Sequence, residues 1–107
     1  MIFIRYYKDL IVEDNIDIIK AKKLFSKGIS LFSVYAICVS PKTNGLMEIM
    51  STENLLKEVN SYGNYGIIAL VKGRNKARKK SVRLIENWLV THSDLTGFKS
   101  HYNQNSF

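Results

Sequence analysis

Cysteine and proline occur once each in 107 residues, histidine twice and glycine six times. A lone cysteine, Cys38, cannot close an internal disulfide, which sets aside the disulfide-framework class and makes a reducing cytoplasm the default compartment. So little proline and glycine excludes collagen-like and low-complexity chains. No apolar run reaches the roughly 18 residues of a membrane span, and Met1-Ile2-Phe3-Ile4-Arg5 lacks the basic start and long apolar stretch of a secretory leader. No linker composition divides the chain, and its length is that of one domain. Hydrophobic residues make up 46% of it, enough for a real core and too many for intrinsic disorder.

Acids are the scarce charge: nine Asp and Glu against 16 Lys and Arg, for a formal charge of +7. The surplus is local. Lys72, Arg74, Lys76, Arg78, Lys79, Lys80 and Arg83 form a run with no acid between residues 72 and 83, and the nine remaining Lys and Arg balance the nine acids. A field this concentrated attracts anions.

Alternation from Ile2 to Tyr7 predicts a strand, with Ile2, Ile4 and Tyr6 on one side. Glu13-Asp14-Asn15 reads as the opening of a helix, acids lying where the positive end of the helix dipole favours them. Ile18, Ala21, Leu24 and Phe25 form its apolar side, and Gly28 ends it. The β-branched and aromatic segment Leu31 to Val39 predicts a second strand. Ser40-Pro41-Lys42-Thr43-Asn44-Gly45 is turn chemistry, returning Leu46 to Met50 as a hairpin partner. Ser51 or Thr52 caps a helix carrying Leu55, Leu56, Val59 and Tyr62, which Gly63-Asn64-Tyr65-Gly66 breaks. The continuous apolar run Ile67 to Val71 predicts a buried central strand. Gly73 leads into a last helix, roughly Asn75 to Thr91, with Ala77, Ser81, Val82, Ile85, Trp88 and Leu89 inward and Lys76, Lys80, Arg83 and Asn87 outward. Residues 1–92 form the domain, and the mostly small and polar segment 93–107 is expected to be a loosely packed tail.

The order β-α-β-β-α-β-α predicts an α/β (α+β) open-faced sandwich: a four-stranded, mostly antiparallel sheet with its helices on one face. Two architectures fit, one HPr-like and one ferredoxin-like. Strand one beside strand four, with four next to two, marks the first; strand one between three and four marks the second.

From Leu46 onward the segments resemble HPr, the histidine-containing phosphocarrier of the bacterial sugar phosphotransferase system. Leu46-Met47-Glu48-Ile49-Met50-Ser51 and Asn54-Leu55-Leu56-Lys57-Glu58-Val59 are similar to its third strand, cap and short second helix. Gly63 and Gly66 with Ile67 to Gly73 resemble its glycine-bounded fourth strand, and Ala77 through Leu89 its closing helix. The family's chemistry needs Gly-x-His-Ala-Arg-Pro at the start of the first helix. Here Leu10-Ile11-Val12-Glu13-Asp14-Asn15-Ile16 stands there, with no His, Arg or Pro and two carboxylates that repel phosphate. The resemblance therefore implies a binding or regulatory domain without phosphoryl transfer. It also implies Ser51 and Thr52 as candidate regulatory hydroxyls, which an N-cap role explains equally well.

The basic run opens a helix, where cations are unfavourable by about 0.3–1 kcal/mol each. A bound anion would offset this through the free backbone N–H groups; a solvated, screened face needs none. The seven cations are thus the candidate anion-binding residues. Their partner is an anionic ligand or acidic protein surface, or alternatively nucleic acid gripped by its backbone, with Tyr6, Tyr7, Tyr62 and Tyr65 as stacking surfaces or packing residues. A third reading is an enzyme with an unrecognised site, which requires a concave pocket holding two titratable groups of perturbed pKa. His92 and His101 with a distant Cys38 make no metal set; His92 reads as a helix-terminus residue, Cys38 and Trp88 as core, and no cofactor is implied. An apolar patch of Phe3, Tyr7 and Phe32 on an open sheet face would favour a homodimer.

Overall fold

In the computed structural model, which describes residues 4–13, 15–42, 45–62 and 65–107, the elements run β1 (Ile4–Val12), α1 (Ile18–Ser26), β2 (Val34–Val39), β3 (Met47–Ser51), α2 (Thr52–Tyr62), β4 (Tyr65–Lys72), α3 (Arg74–Thr91) and α4 (Phe98–Gln104). Phe3, Asp14, Thr43, Asn44, Gly63, Asn64 and the Tyr62 side chain, all used in the sequence reading, lie outside the described residues.

The sheet order is β1-β4-β2-β3. This excludes the ferredoxin-like alternative, because β1 sits at an edge and not between β3 and β4. β2 pairs antiparallel with β3 and with β4, but β1 pairs parallel with β4, so the sheet is mixed and not mostly antiparallel. Strand direction is a property of non-consecutive neighbours, which local sequence pattern does not encode.

A second correction concerns the layers. β2 has Val34, Ala36 and Cys38 on one side and Ile37 and Val39 on the other, all buried. Ala36 and Cys38 pack with Ala21 and Phe25 of α1 and Leu55, Leu56 and Val59 of α2. Ile37 and Val39 pack with Ala77 and Leu84 of α3 and Phe98 and Tyr102 of α4. Helices therefore cover both faces, not one. A strand apolar on both sides cannot leave one side to water, and β4, buried from Tyr65 to Val71, makes the same demand. β4 is central, as its continuous apolar run predicts.

The segment 93–107 also departs from expectation. Phe98 is fully buried, Tyr102 nearly so, and the two are one helical turn apart on α4. Beyond α4 the backbone lies along the outer edge of β1: Tyr6 N–H donates to Phe107 O (2.8 Å), Phe107 N–H to Tyr6 O (2.9 Å) and Lys8 N–H to Asn105 O (2.7 Å). Arg5 donates to Asn103 as well (3.2 Å). Phe98, Tyr102 and Phe107 read as scattered aromatics of a loosely packed tail because their partners, Trp88 in α3 and Tyr7 and Tyr6 in β1, lie outside it, the last two far away in sequence.

Register aligns one end of the sheet. Val12 pairs with Leu70, Val34 with Lys72 and Tyr35 with Ser51. The strands β1, β3 and β4 therefore end together, and α1, α2 and α3 all begin there.

Candidate anion-binding surface

α3 starts as sparsely capped as the sequence suggests. Gly73 precedes it at φ 85° and ψ 140°, a conformation that suits glycine, and no side chain caps the first turn. No acid lies in that turn either. Arg74, Lys76, Arg78, Lys79 and Arg83 are exposed on the helix, Lys72 is exposed at the end of β4, and Lys80 is half-buried.

Six of the seven cations divide between two flanks of α3, and Lys72 lies before it at the end of β4. Lys76 and Lys80 line a cleft of about 320 Å³ with Ile11, Val12 and Glu13 of the β1 side. Lys79 and Arg83 continue that flank at helical spacing. Arg74 lines a larger opening, about 690 Å³, with Tyr35, Ser51 and the segment Ser30–Ser33. Arg78 follows Arg74 one turn on. Lys72 borders a third recess, about 290 Å³, beside Asp17 and Lys20 of the α1 side.

Part of the expected offset comes from the chain itself. Glu13 accepts the Lys72 backbone N–H (2.6 Å) and the Lys76 ammonium (3.0 Å). The Lys72 N–H first, and then Lys76, hold its carboxyl below the ordinary range. Glu13 therefore does not open α1 as the sequence reading expects. Asp17 does, accepting the Lys20 N–H at 3.1 Å. The other six cations have no ion-pair partner among the described residues.

The two candidate hydroxyls have structural work. Ser51 accepts the Asn54 N–H (3.2 Å) and so caps α2. Thr52 is fully buried; its Oγ1 donates to Leu31 O (2.8 Å) and accepts Leu31 N–H (2.9 Å). Among the tyrosines, Tyr65 is buried, and both Tyr65 and Tyr6 have phenols pushed up to about 12, chiefly by burial. Tyr65 thus packs in the core, and Tyr6, half-buried, packs against it with the Lys22 ammonium over its ring. Phe32, by contrast, is almost wholly exposed, in the turn before β2 and not on an open sheet face as the apolar patch expected above required.

Sequence separation also concealed a second cluster. His92 and His101, nine residues apart, meet around Trp88: the His92 ring stacks on the indole at 3.7 Å, and the His101 ring centroid lies 5.7 Å away. They border a cleft of about 460 Å³ with Asn87, Thr91 and Tyr102. His92 Nδ1 contacts Trp88 O at 3.0 Å at the C-terminus of α3, the role its position predicts. His101 Nε2 hydrogen-bonds with the Tyr7 hydroxyl (3.1 Å). Burial raises the Tyr7 and Tyr102 phenols, moving them further from proton exchange at neutral pH. No group of three metal-ligating side chains occurs among the described residues. Cys38 is fully buried, and burial followed by Glu48 raises its thiol pKa, which keeps it protonated. The geometry is thus richest in unpaired cations and not in acid–base pairs. No helix of the described residues is long and apolar enough to cross a membrane.

No family model matches the chain, and neither does any curated protein or solved structure.

Proposed function

We propose that this protein is a non-catalytic binding domain for phosphate-bearing polymers, foremost nucleic acid, which it contacts through the first half of α3. The observation that carries this reading is the spread of five unpaired cations over both flanks of one helix end, with Lys72 just before it. A single small anion satisfies one or two such side chains. Arg74 to Arg83 spans roughly 14 Å at the helical rise, a length that suits successive phosphates of an extended polyanion. Glu13 already engages Lys76, so a polymer would share that contact and add others at Arg74, Arg78, Lys79, Lys80 and Arg83. Binding of this kind is mostly to the backbone, weakly selective and strongly salt-dependent.

Fluorescence anisotropy with labelled oligonucleotides across a salt series tests this. The expected result is a log–log fall of affinity with salt, abolished by the triple variant K76E/K80E/R83E. Absence of binding at low salt, or a triple variant that binds as the native chain does, refutes it. A second reading is an acidic protein surface docked on the same helix, as the resemblance to HPr implies. Val82 and Leu89, exposed on the flank of Arg74 and Arg78, favour it; the strand order is compatible with that resemblance, whereas helices on both faces are not.

A further inference from the structure

Phe32 is 97% exposed at the sheet end where α1, α2 and α3 begin. A phenyl ring left in water forgoes the free energy that burial would supply. The turn that carries it is nonetheless firmly held. Thr52 grips both backbone groups of Leu31, at 2.9 and 2.8 Å. Ser33 O accepts the N–H of Gly73 (2.8 Å), tying the turn to the start of α3. Ser33 itself sits at φ 62°, a left-handed conformation unusual for a residue other than glycine or asparagine. Strain and a buried clamp on either side of Phe32 thus hold the backbone that carries the outward-pointing ring.

The ring stands between two recesses. One is bordered by Lys20 and Lys72, the other by Arg74. Two acids line the same recesses: Asp17, which accepts the Lys20 backbone N–H, and Glu53, which pairs with Lys57 at 3.7 Å. An exposed aromatic ring fixed between cations is the arrangement that takes an unpaired base on its face and the flanking phosphates on either side. A duplex keeps its bases stacked internally and cannot use the ring without local unstacking.

The geometry points to Phe32 as a base-stacking residue that makes the polyanion partner of this surface a single-stranded nucleic acid. This inference rests on the proposed function and specifies its ligand. Pre-organisation of the turn makes stacking inexpensive in ordering entropy. The cations supply sequence-independent affinity, and the ring supplies the preference for unpaired strands.

The test uses the full chain, a fluorescein-labelled oligothymidylate and a blunt DNA duplex of equal length, read by anisotropy at several salt concentrations. Phe32→Ala should weaken oligothymidylate binding about tenfold and leave duplex binding unchanged. Phe32→Trp should retain the native preference. Both variants should melt at the native temperature, because the side chain is outside the core. Equal loss on both probes, or no loss on either while K76E/K80E/R83E abolishes binding, overturns stacking and leaves the polyanion surface standing. If the native chain binds neither probe at any salt concentration, the proposed function falls too, and Phe32 is left as a contact for another protein.

Discussion

α1 and α3 begin at the same end of the sheet, one after β1 and the other after β4, and they pack on opposite faces. α1 receives a carboxylate from the residue just before it, Asp17, and that carboxylate holds a first-turn N–H. α3 receives a glycine and a cluster of cations, and its compensating carboxylate arrives from Glu13, 59 residues from Lys72 in sequence. The first arrangement is local and closes on itself. The second is assembled by the tertiary fold, and it leaves most of its positive charge unanswered. A helix start compensated only in part, and from elsewhere in the chain, retains attraction for an outside partner.

The contrast between the two helical layers can be tested most severely in their cores. Phe25→Ala, under α1, and Phe98→Ala, under α4, should each lose about 3–5 kcal/mol by chemical denaturation. A small loss at Phe98 alone would mean that the α4 layer is an accessory. Next comes the backbone before α3. Gly73→Ala meets no steric obstacle, since nothing lies within 4 Å of the added carbon, but it must hold φ near 85°. Its cost should be about 1–3 kcal/mol. Asp17→Ala should remove about 1 kcal/mol, measured in the same way, as loss of an N-cap does.

The smallest effect is the most informative about α3. Glu13→Gln should slightly lower stability at neutral pH but should tighten oligonucleotide binding roughly two- to fivefold, as removal of one competing exposed charge implies. Because Glu13 titrates below its ordinary value in the folded chain, its contribution is present above that value and disappears as pH falls through the lowered one. The variant should therefore show a shallower loss of thermal midpoint on the acid side. An unchanged acid limb would show that Glu13 does not couple to the basic run.

Much of the secondary structure was readable from pattern alone. The apolar run at Ile67–Val71 gave the central strand, and Ser51 gave the cap of α2. The two-sided burial of β2 was also present in Val34-Tyr35-Ala36-Ile37-Cys38-Val39, which has no polar alternation. The element order alone suggests a single helical layer, and the two apolar sides of this run require a second. The start of α1 was misplaced because Glu13 looks like a local cap, whereas its partners Lys72 and Lys76 become neighbours only when β1 pairs with β4. The basic run was plain in composition. Its division into two flanks, and the exposed ring beside it, required the Thr52 clamp and the Ser33 turn, contacts between residues distant in sequence.

Cys38 lies in β2, between β3 and β4, roofed by the α1–α2 layer and fully shielded from solvent. The sulfur can meet a reagent only while strands and helices part, so its modification reports the opening of the whole molecule. Mixed with an aromatic disulfide, the folded protein should release no coloured thiolate, and denaturant should set off one equivalent. The chain thus contains a native timer for breathing of its centre, readable without adding a label or altering a residue.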